Sequence, residues 1–220
     1  NETTAALFDI MAMGLCLEGP NQRALALDSR RRIYAWEGRT VGDTALLVVD
    51  VQSALIESGP FRAMETIGNI RDLIESARGS GTEIIYIRHD SGKTGFTAGF
   101  KGYEIHEALA PKAGEHIFDK RFNSAFLGTD LHGHLQDKGI KNIILTGLRT
   151  EYCVDATCKA AFERGYLVYV PKGAHTTFDN GPFSAAQLIA FYEDRIWNNR
   201  FAKVLSRDGL KTILYPQDFV

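Results

Sequence analysis

The stretch Ile143-Ile144-Leu145-Thr146-Gly147-Leu148-Arg149-Thr150-Glu151-Tyr152-Cys153-Val154 changes character partway along. Its first three residues are an uninterrupted apolar run, the pattern of a strand buried on both faces. Beyond Cys153, from Val154 to Phe162, the apolar residues recur at helical spacing instead. Cys153 therefore stands where a strand hands over to a helix. A thiol at that junction meets backbone N–H groups with no intrahelical partner and the positive end of the helix dipole, and both favour thiolate over thiol. On position alone two readings stand side by side: an activated nucleophile, or a free cysteine packed as a small buried apolar residue.

The same alternation organises the chain from Thr44 onward. Apolar or mainly apolar strands are expected over residues 45–51, 83–88, 115–119, 142–146, 167–170 and 201–205. Helices are expected over 63–78, 130–138, from Cys153 to about Arg164, and 184–199, closed by Gly79 or Gly81, Gly139 and Gly165. Strands that are apolar without alternation, separated by helices, imply an α/β fold: a three-layer αβα sandwich around a central, mainly parallel six-stranded sheet of Rossmann-like type. In such sheets ligands bind beyond the carboxyl ends of the strands, where the strand order reverses. The long, glycine-rich connection from His89 to Gly114 is read as a lid over that site.

Asp50 ends the run Ala45-Leu46-Leu47-Val48-Val49, and Lys120 follows His116-Ile117-Phe118-Asp119. Asp, Lys and Cys at the ends of three strands, in the motifs LLVVDVQ, FDKRFNSAF and TGLRTEYCVDAT, resemble the isochorismatase-like cysteine hydrolases over about residues 44 to 206. The resemblance implies a catalytic triad of Asp50, Lys120 and Cys153. It implies oxyanion donors in the backbone N–H groups of Arg149 and Cys153, and a cis peptide between Leu148 and Arg149. Gln52, His89, Phe126 and Arg149 are candidates for substrate contact. For each of these four a plain structural role stands beside the functional one: a hydrogen-bonded strand terminus, a loop histidine, core packing and a surface salt bridge.

By the same resemblance Asp50 takes the thiol proton and returns it to a leaving nitrogen. An ordinary aspartate, with a pKa of about 3.9, is a poor base, so a partly desolvated site that raises it is expected, and Lys120 opposes that rise. The leading expectation is a cysteine hydrolase that cleaves a carbon–nitrogen bond of a small amide, ureido or carbamoyl substrate through a thioester. The alternatives are an isochorismatase-type vinyl-ether hydrolase that uses Asp50 without a thiol, and a redox or non-catalytic protein on the same fold. The five-residue spacing of Cys153 and Cys158 is not C-x-x-C, which counts against redox chemistry.

No metal and no cofactor are expected. The nicotinamidase branch carries Asp-x-His-x-x-His after the second strand, where this chain reads Arg88-His89-Asp90-Ser91-Gly92-Lys93-Thr94. His132 and His134 are two residues apart and diverge on a helix. A formal net charge of −2 and a pI near 6.3 argue against a polyanionic partner such as nucleic acid. No apolar run approaches the roughly 20 residues that span a bilayer. Three scattered cysteines fit a reducing compartment, so a cytoplasmic location is expected, with a homo-oligomer, dimer or tetramer, acting on a small molecule. The division read from the chain is an N-terminal extension over 1–43, with a hairpin arm around Asp28-Ser29-Arg30-Arg31-Arg32, and a hydrolase domain over 44–220.

Overall fold

The computed structural model describes residues 41–206 together with 209, 210 and 214. The hairpin arm expected over residues 24–36, and Cys16, lie outside them.

Among the described residues seven parallel strands form one sheet: β1 (Thr44–Val49), β2 (Glu83–His89), β3 (His116–Lys120), β4 (Asn142–Leu148), β5 (Leu167–Pro171), β6 (His175–Thr176) and β7 (Lys203–Leu205). The path runs β3-β2-β1-β4-β5-β7, with the two-residue β6 paired to β4 beyond the end of β5. Six of these strands were legible as apolar runs. The seventh, β6, is too short to leave a pattern.

Every residue of β1 and of β4 is buried, because helices cover both faces. Ala45, Leu47 and Val49 point into one core with Leu131, Leu135, Cys158 and Ala161. Leu46 and Val48 point into the other with Ile67, Ile70 and Ile74. The first core is roofed by α3 (Leu131–Asp137) and α4 (Asp155–Glu163), the second by α2 (Ala63–Ser80). A short α1 (Ser53–Glu57) follows β1, and α5 (Ala185–Phe191) starts at a capping box between Ser184 and Gln187. The helix expected over 184–199 continues past α5 as a wider turn, Tyr192–Trp197. Trp197 is fully buried and donates from Nε1 to Asp155 Oδ1 (2.9 Å), which ties that segment to the start of α4.

The chain builds β1, β2 and β3 outward in one direction, then returns to lay β4 on the other side of β1. The strand order therefore reverses between β1 and β4, which pair in register from Thr44 opposite Asn142 to Val49 opposite Gly147. At that last pair the backbones crowd. A Cβ on Gly147 would lie 1.9 Å from the Val49 carbonyl oxygen, and its φ of +120° is one that side chains avoid, so only glycine fits.

The connection between β2 and β3 is not a lid along its whole length. Tyr103, Ile105 and Leu109 are buried. Ser53 N–H donates to the Glu104 carbonyl, and His106 N–H to that of Val51 (2.9 Å each). Its second half is a strap sewn to the end of β1, because it carries apolar residues that must be covered. Its first part, residues 91–100, stays largely at the surface.

Candidate active site

Three strand ends supply the site. Asp50 immediately follows β1 with φ of +54°, a left-handed turn that an aspartate tolerates better than most residues, and its N–H donates to the Ile87 carbonyl of β2 (2.9 Å). Lys120 is the last residue of β3, two strands from β1, a separation of about 9–10 Å in the sheet. A long side chain is needed to cross the end of β2, and lysine provides it: Lys120 Nζ lies 2.7 Å from Asp50 Oδ2. Cys153 comes from the other side of the reversal. It sits in a wide turn, Thr150–Val154, that precedes α4, and its Sγ is 3.2 Å from the same Nζ.

Four acceptors compete for the three protons of that ammonium. They are Asp50 Oδ2, His89 Nδ1 (3.0 Å), the Phe122 carbonyl (3.1 Å) and Cys153 Sγ. While Cys153 is a neutral thiol the other three suffice. Once it becomes a thiolate, one N–H can turn to it with little movement.

The charges set that order. Burial pushes Asp50 above the ordinary carboxylate range, and the opposing pull of Lys120 does not cancel it. Burial, reinforced by the Asp50 charge, pushes the Cys153 thiol up to about 12. The helix-terminus argument, which predicts a lowered thiol, is thus overruled by desolvation: Cys153 is only 8% exposed. Burial and the neighbouring Lys120 also hold His89 below its usual value, so its imidazole is neutral and Nδ1 accepts from Lys120. Burial thus favours the protonated form of both Asp50 and Cys153, and Lys120 Nζ stands between them.

The Leu148–Arg149 peptide is cis. The Arg149 carbonyl accepts from the N–H groups of Tyr152 (3.0 Å) and Val154 (3.2 Å), on either side of Cys153. The Arg149 guanidinium lies over the rings of Tyr152 (5.2 Å) and Phe178 (4.8 Å), and its buried Nε has no hydrogen-bond partner among the described residues. It is therefore a stacked cation that also pairs loosely with the buried Glu151 carboxylate (Nη2–Oε1 3.9 Å).

The remaining candidates separate. His89 joins the cluster, as the cross-strand neighbour of Lys120 in the β2–β3 register. Gln52 is a clamp: its amide donates to the His89 carbonyl (3.2 Å) and the Tyr103 carbonyl (2.8 Å) and accepts from His89 N–H (2.9 Å), so its polar atoms hold backbone. Phe126 belongs to the core, stacked on Tyr166 with Arg164 over its ring. The sequence reading gave no role to Asn123, whose Oδ1 lies 3.8 Å from Cys153 Sγ, although it stands within the FDKRFNSAF motif. It also missed a buried relay beneath the cysteine turn, in which Thr150 Oγ1 meets His175 Nδ1 (3.0 Å) and His175 Nε2 meets Glu193 Oε1 (3.2 Å). No local pattern announces that relay, because its members come from three separate segments.

Asp50, His89 and Cys153 present ligand atoms within 4.8 Å of one another, a spacing that suits a metal ion. Lys120 Nζ is within 3.2 Å of all three. The place a cation would take is held by the protein's own ammonium.

The sequence matches the family described as Isochorismatase domain over residues 44–213. Among curated relatives, a streptothricin hydrolase of Streptomyces noursei is 33% identical over 138 residues, 61% of this chain but only 50% of that protein. The ureidoacrylate amidohydrolase RutB of Agrobacterium fabrum is 24% identical over 209 residues, 75% of this chain and 91% of that one. Among solved structures, N-carbamoylsarcosine amidase from Thermoplasma acidophilum superposes with a TM-score of 0.64 at 27% identity, covering 74% of this chain and 96% of its own. No helix among the described residues is long and apolar enough to cross a membrane.

Proposed function

The chain belongs to the isochorismatase family of hydrolases, and from that premise we propose that it is a cysteine amidohydrolase, cleaving a carbon–nitrogen bond of a small amide, ureido or carbamoyl compound through a thioester on Cys153. The observation that carries the reading is Lys120 Nζ held between Asp50 Oδ2 (2.7 Å) and Cys153 Sγ (3.2 Å) in a buried site. Vinyl-ether hydrolysis needs a carboxylic acid near the substrate and no thiol. Amide hydrolysis needs a nucleophile, a proton carrier and a counter-charge together.

The steps follow from the groups present. As Cys153 Sγ attacks the carbonyl carbon, its proton passes to Asp50, whose raised pKa makes it a competent base, and a Lys120 N–H turns to the sulfur. The charge that develops on the carbonyl oxygen is met by the backbone N–H groups of Arg149 and Cys153. Asp50 then gives its proton to the nitrogen, the C–N bond breaks and the amine leaves. Water attacks the thioester, losing a proton to Asp50; the C–S bond breaks, the proton returns to sulfur and the acid departs. The guanidinium of Arg149, one-third exposed at its side chain and paired with Glu151 at 3.9 Å, is the candidate contact for a carboxylate on the substrate. A free-thiol nucleophile suits a reducing, cytoplasmic compartment. The names of two relatives, an amidohydrolase and an amidase, support the reaction class.

A raised Asp50 also suits protonation of a vinyl-ether carbon, so the test must separate the two reactions. Turnover of small amides with hydroxylamine present is expected to give a hydroxamate from the intercepted thioester, and Cys153→Ala is expected to lose it. Vinyl-ether cleavage at full rate by Cys153→Ala, with no amide turned over by the wild type, overturns the proposal.

A further inference from the structure

At the opposite end of the sheet three ligating side chains meet that the reaction does not use. Glu83 opens β2, His116 opens β3 and His134 lies in the middle of α3. Glu83 is the register partner of Ala45, and His116 of Ile85. Ala45 and Ile85 both face the core roofed by α3, so Glu83 and His116 sit on the face from which His134 descends. Glu83 Oε1 is 2.9 Å from His134 Nε2 and 3.1 Å from His116 Nδ1. The two imidazole rings lie 4.2 Å apart between centroids, and Phe118 packs edge-on against His134 (5.6 Å), fixing its plane.

We propose that Glu83, His116 and His134 bind a divalent transition-metal ion of the zinc class at a site separate from the catalytic cysteine. The ligand atoms lie within 4.8 Å of one another. Zinc–nitrogen and zinc–oxygen bonds of about 2.0–2.1 Å at tetrahedral angles separate neighbouring ligand atoms by about 3.3 Å, so each hydrogen bond to Glu83 need open by only a few tenths of an ångström to admit the ion. Two imidazoles and one carboxylate select zinc, cobalt or nickel over calcium and magnesium, which prefer all-oxygen sites. His116 is 44% exposed at its side chain, which leaves the fourth position open to water. Lys138 opposes binding, with Nζ 3.5 Å from Glu83 Oε2 and half its side chain in solvent.

Spacing along the chain could not reveal this group. His132 and His134 do diverge, as residues two apart on a helix must: His132 Nδ1 turns to the Tyr166 hydroxyl (2.8 Å). The partner of His134 is a histidine on the neighbouring strand. An ion there joins β2, the edge strand β3 and α3, and β3 is the strand that carries Lys120 at its far end. Its expected effect is on stability, with the chemistry untouched.

The test is calorimetric titration of zinc into the full chain carrying Cys153→Ala, which removes the Asp50, His89 and Cys153 cluster as a competing site. One ion per chain is expected, weakened about tenfold or more by His116→Gln or His134→Gln, since even outer-shell partners of a metal cost that much. Cobalt in the same protein is expected to show a ligand-field spectrum without a thiolate charge-transfer band. Lys138→Met, a change at the surface, is expected to tighten binding several-fold. Absence of binding by the folded protein, binding indifferent to both histidine substitutions, or a thiolate band overturns the proposal. Should the histidine variants fail to fold, an unchanged affinity in Lys138→Met overturns it instead.

Discussion

A cluster of carboxylate, imidazole and lysine stands at each end of the strand pair β2 and β3, and the two clusters are inside-out versions of one another. At the carboxyl end the ammonium of Lys120 is central, with Asp50, His89 and Cys153 around it and no side-chain exposure of its own. At the amino end the carboxylate of Glu83 is central, with His116 and His134 around it, and Lys138 stands outside, half in solvent. Burial decides what each can do. In the buried cluster desolvation lifts both Asp50 and Cys153; the rise at Asp50 favours its taking the thiol proton, and the rise at Cys153 opposes it. The open cluster turns one carboxylate and two imidazoles toward a common point, a ligand set for a cation. The same residue types therefore give proton chemistry at one end and a metal-binding geometry at the other.

The largest effect that could break this contrast is on turnover. Cys153→Ala is expected to lower amide hydrolysis by about 10⁴-fold or more while leaving the circular dichroism spectrum unchanged. Asp50→Asn is expected to slow turnover by about 10²- to 10⁴-fold, the range of a lost general base. The same variant should be alkylated faster at Cys153 by iodoacetamide at neutral pH, because the Asp50 charge is one of the forces that raise the thiol. Slower alkylation would mean that Asp50 does not act on the sulfur in this way.

Stability comes next. Lys120→Met leaves Asp50 buried and unpaired and is expected to cost about 3–5 kcal/mol in urea denaturation, most of it recovered in the Asp50→Asn, Lys120→Met double variant. Equal losses in single and double variants would contradict the picture of a mutually neutralised pair.

A smaller effect is on pH. The Cys153 thiol titrates near 8.5 in an unfolded chain and near 12 in the folded one, so the native state keeps the proton longer. Stability from this group is fully present below about pH 8.5 and is lost as pH rises toward 12. The wild type is therefore expected to lose stability above pH 8.5 more steeply than Cys153→Ala, and a parallel pair of curves from denaturant midpoints would refute the shift. The smallest effect expected is none: His116→Gln and chelators should leave turnover within about twofold of the untreated wild type, because the metal-ligating end of β3 touches no reacting atom. A chelator-sensitive activity restored by added zinc would bring metal back into the chemistry.

Much of this protein was legible before its structure. Apolar runs such as Leu46-Leu47-Val48-Val49 and Ile143-Ile144-Leu145 specify doubly covered strands, because only a sheet with helices on both faces can bury every side chain of a strand. Asp50, Lys120 and Cys153 were legible because each follows or ends such a run, and the ends of strands are where a parallel sheet gathers its chemistry. What the sequence determined by itself was therefore periodic or local: the elements, their order and the residues at their tips. Only the tertiary structure decided the rest. It turned the thiol upward in pKa where the helix terminus alone argued downward, since burial is a sum over every neighbour and not a property of position. It gave Gln52 to the backbone and Phe126 to the core. It set His175 under Thr150, and His116 beside His134, although nothing in the spacing of those residues relates them. Contacts between distant segments depend on strand order and register, and these are fixed by the packing of the whole sheet.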